Sequence, residues 1–234
     1  MVADETNARR GVHVHAAASP GEEKNSEELS TTSMGWVHVI DDDRWVREEI
    51  GNLLRSMGYN VSLYKAASEF LAVDLPDIPA CLVLDVRLPD INGLQLQESL
   101  AKVNIRLPVI FMTGYGDIPM SVKGMKAGAI DFLTKPLRDQ DLLDAVAAAI
   151  RLDQIRRQEA ARLSHLQQRF QSLSPREQQV MRLVAAGLMN KQIANELSIS
   201  EVTVKMHRGS VMKKVGTRSV AELARIAEAL GIQR

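Results

Sequence analysis

Residues 36–43 have the sequence Trp-Val-His-Val-Ile-Asp-Asp-Asp, a short apolar run that ends in three adjacent carboxylates. Four further apolar runs follow, and segments whose apolar residues recur at helical spacing lie between them. The five runs cover residues 36–40, 61–64, 81–84, 109–112 and 130–133. Strands that alternate with helices predict an α/β fold, a doubly wound five-stranded parallel sheet with helices on both faces. The ligand site of such a sheet lies beyond the carboxyl ends of the strands, where the strand order switches.

Polar residues stand at the ends of four of these strands. Residues 41–43 are aspartates after the first strand, Asp85 ends the third, Thr113 ends the fourth and Lys135 follows the fifth. Neighbouring carboxylates repel by about 4 kcal/mol per pair at an effective dielectric constant of about 20, and a hard divalent cation such as Mg²⁺ relieves that repulsion. A metal beside an aspartate favours attack by the carboxylate on a phosphoryl group, whose oxygens Lys135 and the Thr113 hydroxyl would contact.

Each of these residues also has an ordinary structural explanation. Asp43 precedes a predicted helix and is expected to cap it. Asp85 could begin a turn toward Pro89 and Asp90, and Lys-Pro is a common loop dipeptide. Their order at successive strand ends nevertheless favours a phosphoryl-transfer site.

The second half of the chain is predicted to be helical. Residues 139–170 contain neither Gly nor Pro and predict one helix about 50 Å long. Ser174, Pro175 and Glu177 form the sequence pattern of a capping box, which begins the first of four helices predicted at 175–185, 191–197, 201–215 and 220–230. We therefore expect a leader at 1–33 that lacks the apolar residues needed for order, an α/β domain at 34–152, a helical linker at 153–171 and an all-α domain at 172–234.

The formal net charge of zero conceals an acidic body and a basic tail. Residues 34–152 carry twelve Lys and Arg against sixteen Asp and Glu, whereas residues 172–234 carry ten against five. This asymmetry indicates a cation-binding body beside a tail that binds a polyanion. The single cysteine, Cys81, excludes an intramolecular disulfide, and no apolar run has the length of a membrane span or signal peptide. We expect a cytoplasmic protein without a membrane partner.

Residues 190–208 predict two short helices around the turn 198–200. Small and apolar residues are expected to make the contacts at this corner, namely Ala194, Leu197, Ile199, Val202 and Val204. The second helix carries polar and cationic residues, which fits a helix placed in the major groove of DNA. The alternative is a helical bundle with a solvated basic face.

Residues 36–152 resemble the receiver domain of two-component response regulators, whose fold is flavodoxin-like. The matching motifs are Val-Ile-Asp-Asp-Asp at 39–43, Leu-Asp-Val-Arg-Leu-Pro-Asp at 84–90, Thr-Gly at 113–114, Ala-Gly-Ala at 127–129 and Phe-Leu-Thr-Lys-Pro at 132–136. The resemblance implies that Asp85 accepts a phosphoryl group from a sensor histidine kinase. It also implies a switch hydroxyl at Thr113, a switch aromatic ring at Phe132 and a phosphate-pairing Lys135, which precedes a cis bond to Pro136.

The same resemblance implies a metal site. Asp42 would bind Mg²⁺ directly, Asp41 directly or through water, and Asp85 and the backbone carbonyl of Arg87 would complete the protein ligands. Mn²⁺ is the alternative ion.

The tail resembles the helix-turn-helix domains of the LuxR, FixJ and NarL class, from Leu173 to the final helix. The resemblance implies that residues 202–215 form the recognition helix, in which Lys205, Met206 and Gly209 would face base edges. Side chains expected to contact phosphates are Lys191, Thr203, His207 and Lys213. Gly209 departs from the class, in which a longer polar side chain is frequent, so fewer direct base contacts are expected.

The whole chain therefore resembles a FixJ-type response regulator. The resemblance implies a non-enzymatic transcription regulator whose phosphorylation and dephosphorylation are self-catalysed. Its phosphorylation would drive homodimerisation through the fourth helix, at 118–127, and the fifth strand. The dimer would bind promoter DNA, with RNA polymerase as a further partner and activation as the outcome.

Two alternatives stay open on the sequence. One is a magnesium phosphatase, which commonly needs a second acid where this chain has Arg87. The other is a DNA-binding protein that is regulated without phosphorylation.

Overall fold

The computed structural model describes residues 34–103, 105–114 and 118–232, without the side chains of residues 118–120. The predicted leader at 1–33 lies outside the described residues. The strands are β1 (Trp36–Ile40), β2 (Asn60–Tyr64), β3 (Ala80–Asp85), β4 (Val109–Thr113) and β5 (Asp131–Thr134). No end of a strand differs from the predicted run by more than one residue, although β3 and β5 differ at both ends.

The helices lie between and after these strands. They are α1 (Arg44–Ser56), α2 (Ala67–Leu71), α3 (Gly93–Lys102), α4 (Ile118–Lys126), α5 (Asp139–Gln171), α6 (Pro175–Ala185), α7 (Asn190–Leu197), α8 (Glu201–Val215) and α9 (Val220–Ala229). Within the described ranges, no helix is both long and apolar enough to cross a membrane.

The five strands form one parallel sheet in the order β2-β1-β3-β4-β5, which confirms the predicted fold class. The chain runs outward from β1 to β2 and then returns across β1 to β3. The strand order therefore switches between β1 and β3, and the carboxyl ends of these two strands flank the point where a ligand site is expected.

Side chains of each strand alternate between the two faces of the sheet. On β1, Val37 and Val39 pack with α1 and α5, while Ile40 packs with α2 and α3 on the opposite face. All six residues of β3 are buried, as expected for a central strand covered by helices on both sides. Burial of a large side chain such as Phe111 stabilises the fold by about 1.5–3 kcal/mol, so these two cores fix the positions of the strand ends.

Helix α5 continues without a break past the sheet and into the segment predicted as a linker. The buried carboxylate of Asp153 accepts hydrogen bonds from the backbone N–H of Ala80 at 2.9 Å and from Arg157 Nε at 2.6 Å. Arg157 also contacts Asp77 at 2.5 Å. The first turns of that segment are therefore held against the sheet at the start of β3.

Helices α6 to α9 surround a third core that includes Val180, Ile193, Val204 and Leu223. The predicted capping box is present, since Ser174 Oγ accepts from Glu177 N at 3.3 Å and Glu177 Oε2 accepts from Ser174 N at 2.7 Å. The tail is thus the predicted four-helix unit, entered from the end of α5.

Candidate functional site

Three carboxylates meet at the carboxyl edge of the sheet. Asp41 directly follows β1 and Asp85 ends β3, and the pairing of Ile40 with Leu84 brings these two aspartates side by side. Oxygen atoms of Asp41, Asp42 and Asp85 all lie within 4.8 Å of one another. Asp41 and Asp85 are buried, whereas Asp42 is exposed to solvent. With Lys135 and Thr113, described below, these residues form what we call the acidic pocket.

Lys135 bridges the two buried carboxylates. Its Nζ lies 2.6 Å from Asp41 Oδ2 and 2.7 Å from Asp85 Oδ2. Burial alone would lower the pKa of Lys135, but the hydrogen bonds and charges of the two aspartates outweigh it and raise that pKa. Burial raises the pKa of Asp41 despite the opposing effect of Lys135. The pocket therefore holds a cation against two buried carboxylates.

Backbone geometry fixes the positions of these groups. Lys135 N donates to Thr113 O at 2.7 Å, and the Lys135–Pro136 bond is cis, as the family resemblance implies. Asp41 Oδ1 accepts from Asp43 N at 2.9 Å, and Asp85 Oδ1 accepts from Arg87 N at 3.1 Å. The carboxylates are thus held by their own loops before any ligand binds.

Two residues next to the pocket differ in whether their contacts could be predicted from the sequence. Asp43 caps α1 as predicted, with its side chain accepting from Trp45 N at 2.8 Å. Arg47 was not identified from the sequence, although its guanidinium donates to Asp41 O at 2.6 Å. The sequence gives no signal for this contact, because it depends on how α1 is oriented over the sheet.

The donor set of the pocket fits Mg²⁺. The three carboxylates supply only oxygen ligands, and the exposed position of Asp42 leaves room for water ligands, which Mg²⁺ usually retains. Mn²⁺ accepts the same donors. The roles predicted for Asp41, Asp42, Asp85 and the Arg87 carbonyl as ligands stay predictions.

Thr113 and Phe132 lie on the two strands that follow β3 in the sheet, next to the three carboxylates of the acidic pocket. Thr113 is the last residue of β4 and its side chain is buried. Phe132 lies on β5, half-buried, and its ring contacts that of Phe111 with centroids 5.4 Å apart. The structure therefore brings Asp41, Asp42, Asp85, Thr113 and Lys135 to one edge of the sheet, with Phe132 on the adjacent strand.

The second candidate site is the helix-turn-helix unit of α7 and α8. Ser198 ends α7 in a left-handed conformation, and Ser200 caps α8 by accepting from Thr203 N at 3.1 Å. Of the predicted corner residues, Ala194, Leu197, Ile199 and Val204 pack in the core of the tail. The prediction for Val202 is wrong, because its side chain is 68% exposed and does not belong to the core of the tail.

The residues predicted to contact DNA lie mainly on the outer surface of this unit. Exposed positions are Lys191, Lys205, Met206, Gly209 and Lys213, while Thr203 and His207 are half-buried. The Thr203 hydroxyl shares a 2.8 Å hydrogen bond with Ser200. The structure thus places all seven on α8 or at the start of α7, and their contacts with DNA stay predictions.

Two cationic side chains of α8 form contacts within the tail and are therefore not assigned to DNA. Arg208 donates to Asn190 Oδ1 at 2.5 Å, and Lys214 Nζ lies 2.7 Å from the buried Glu177. Glu177 also accepts a hydrogen bond from Ser210. The hydrogen bonds from Lys214, Ser210 and the backbone of Ser174 lower the pKa of Glu177 to about 2. The capping-box pattern identified Glu177 as a cap, but it gave no sign of the ion pair across to α8.

Comparisons with known proteins match both halves of the chain. Residues 37–147 match the response regulator receiver domain, and residues 171–227 match the bacterial regulatory proteins of the luxR family. Nodulation protein W of Bradyrhizobium diazoefficiens is 53% identical over 88% of this chain and 89% of its own.

Two solved structures are similar over most of the chain. The response regulator StyR is 49% identical, with a TM-score of 0.75 over 83% of this chain and 98% of its own. Full-length FixJ from B. japonicum is 38% identical, with a TM-score of 0.52 over 87% of this chain and 100% of its own.

Proposed function

This chain belongs to the two-component response regulators that join a receiver domain to a LuxR-type DNA-binding domain, and on that premise we propose that Asp85 is its phosphoryl acceptor and α8 its recognition helix. The protein is a transcription regulator of the non-catalytic kind. Its receiver domain implies a sensor histidine kinase as partner, and its LuxR-type domain implies DNA. We assign residues 34–152 to the receiver, 153–171 to the linker and 172–234 to the DNA-binding domain.

The observation that carries the phosphorylation proposal is the bridge from Lys135 to Asp41 and Asp85. A carboxylate oxygen of Asp85 attacks the phosphorus of a phosphohistidine, the phosphorus–nitrogen bond breaks, and the imidazole leaves. Lys135 Nζ, 2.7 Å from Asp85 Oδ2, is placed to pair with an oxygen of the incoming group. When bound, Mg²⁺ supplies further positive charge to the phosphoryl oxygens. Asp41, Asp42, Asp85 and the Arg87 carbonyl would hold it.

The same residues would govern loss of the group. Water attack on the acyl phosphate would regenerate the Asp85 carboxylate and release phosphate, within the charges supplied by the pocket. Phosphorylation and dephosphorylation are in this sense self-catalysed by the receiver.

Phosphorylation changes the local charge at Asp85 from −1 to about −2. The Thr113 hydroxyl would donate to the phosphoryl group, and the half-buried Phe132 would repack further inward. These shifts alter the surface formed by α4 and β5, which we propose as the homodimer interface. A dimer places two recognition helices about 34 Å apart, the spacing of successive major grooves.

The exposed cations of the tail support binding to double-stranded promoter DNA in the cytoplasm. Lys191, Thr203, His207 and Lys213 would contact phosphates and fix the register of α8 in the groove. Lys205, Met206 and Gly209 would face base edges. We propose that the bound dimer activates transcription through RNA polymerase.

Intact-mass spectrometry after incubation with acetyl phosphate and Mg²⁺ tests the acceptor. We expect one phosphoryl adduct on the wild type and on Asp74→Asn, a matched change of an exposed carboxylate outside the pocket. Asp85→Asn, or wild type without Mg²⁺, should carry none. An equal adduct on Asp85→Asn would contradict the assignment, as would a wild type that neither forms an adduct nor binds beryllofluoride.

A further inference from the structure

One stripe of α8 faces directly away from the core of the tail. Val202, Met206, Gly209 and Lys213 follow one another at intervals of four, three and four residues, which places them on one side of a helix. All four are exposed. The opposite side carries Val204, Val211 and Val215, which are buried. We call the first set the outer stripe.

The first three positions of the outer stripe offer DNA no strong hydrogen-bonding group. Val202 and Met206 are 68% and 70% exposed although both side chains are apolar. Gly209 has no side chain, and a Cβ built there meets nothing within 4 Å, so packing within the described residues does not require glycine. The cation of the stripe, Lys213, comes only at its far end.

The polar residues of α8 lie on the flanks of the stripe or bond inward. Lys205 and Thr203 stand on either side of it, and Arg208, Ser210 and Lys214 bond to Asn190 and Glu177 within the tail. The part of the helix that would enter the groove first is therefore apolar along its centre, with polar groups at its edges.

In the major groove only thymine presents an apolar group, its C5-methyl, and apolar side chains recognise it by contact. We propose that Val202 and Met206 read thymine methyl groups, so that this regulator selects thymine at one or two positions of each half-site by apolar contact rather than by hydrogen bonds. The proposal deepens the DNA-binding function proposed above and rests on it. Gly209 lets the helix backbone approach the groove closely and brings the two side chains within reach.

Replacement of thymine by deoxyuridine tests this directly, because it removes the methyl group and keeps base pairing. Duplexes would first be selected from a randomised pool by the full-length protein treated with beryllofluoride and Mg²⁺. Each thymine of the selected site would then be replaced in turn and the Kd measured. We expect about fourfold weaker binding at one or two thymines per half-site, the effect of losing one buried methyl contact.

Alanine variants show which side chain causes the sensitivity to deoxyuridine. Val202→Ala and Met206→Ala should bind the thymine duplex several-fold more weakly, and each should lose the sensitivity to deoxyuridine at its own position. Val220→Ala, which shortens an exposed valine on α9, should retain both the affinity and the sensitivity of the wild type. Far-UV circular dichroism checks that the variants keep the helical content of the wild type.

Three results would overturn the proposal. Sequence-selective binding in which no thymine is sensitive to deoxyuridine rejects methyl contacts and leaves the DNA-binding function intact. A sensitivity that survives in both alanine variants assigns the contact elsewhere and leaves the outer stripe as a surface for a protein partner. Failure to enrich any sequence rejects the proposed DNA-binding function as well.

Discussion

The acidic pocket and the outer surface of α8 are built in opposite ways. Lys135 lies 94 positions from Asp41 and 50 from Asp85, yet the sheet brings the three side chains into contact in a buried site. The residues proposed to face DNA come almost entirely from one helix and are mostly exposed, while other residues of that helix hold it in place. The arrangement of the pocket therefore depends on the fold of the whole sheet, whereas the proposed DNA-binding surface depends mainly on one helix.

The largest predicted change in stability concerns Glu177, which holds α8 within the tail and is not proposed to contact DNA. Glu177→Ala should destabilise the tail by about 3 kcal/mol, because it removes the charged acceptor of the hydrogen bonds from Ser174 N, Ser210 and Lys214. Thermal unfolding followed by far-UV circular dichroism measures this loss. Fluorescence of Trp36 and Trp45, which both belong to the sheet half, should change little.

Glu228→Ala, a change of an exposed glutamate on α9, is the matched control and should leave the melting curve nearly unchanged. Equal stability of the two variants would show that the Glu177 cluster does not hold α8.

The next prediction concerns Gly93, whose close contact with the backbone of Asp85 should couple the stability of the sheet half to the reactivity of Asp85. A Cβ at Gly93 would lie 2.7 Å from the carbonyl oxygen of Asp85 and 3.1 Å from Val86 Cα. Gly93→Ala should destabilise the sheet half by about 2 kcal/mol, since backbone atoms must move, and it should slow acetyl phosphate labelling of Asp85. Urea unfolding by tryptophan fluorescence and the labelling rate measure the two losses. Normal labelling in a destabilised protein would argue against this coupling.

The two halves should also lose stability in different pH ranges. Burial lowers the pKa of His38 from 6.5 to about 4, so between these values the unfolded chain binds a proton that the folded chain does not. Stability of the sheet half should fall by about 2 kcal/mol between pH 7 and pH 5. Glu177 has a lowered pKa, so its contribution to the tail is lost only below pH 4.5, toward pH 2.

Urea unfolding at pH 7 and pH 5, followed by tryptophan fluorescence, measures the His38 contribution. His38→Phe removes the titrating group and should flatten the dependence. The same slope in wild type and His38→Phe would exclude His38 as its source.

The smallest predicted effect is an increase in stability. Gly209→Ala should stabilise α8 by about 0.5–1 kcal/mol, because a glycine inside a helix costs conformational entropy and the added Cβ meets no neighbour among the described residues. The melting temperature of the tail measures it. A Cβ at Gly209 has open space around it, whereas a Cβ at Gly93 would clash with the backbone of Asp85. A loss of stability in Gly209→Ala would contradict this difference between the two glycines.

The convergence of Asp41, Asp85 and Lys135 could be predicted from the sequence, because the carboxyl ends of parallel strands meet at one edge. The contacts of Arg47 with Asp41 and of Arg157 with Asp77 could not, since they depend on how a helix is oriented over the sheet. The prediction for Val202 was wrong for a related reason. Its apolar character suggested the core, but Val204 fixes the inward side of α8 and a residue two positions away points outward.

DNA affinity as a function of phosphorylation tests the central claim, that the pocket controls the tail. The Kd for a selected duplex and the association state should be measured for wild type and Asp85→Asn, each with and without acetyl phosphate and Mg²⁺. We expect phosphorylation to tighten binding by wild type at least about tenfold and to shift it to a dimer, with Asp85→Asn unchanged. Dimerisation and DNA binding by Asp85→Asn equal to those of the phosphorylated wild type would contradict the account.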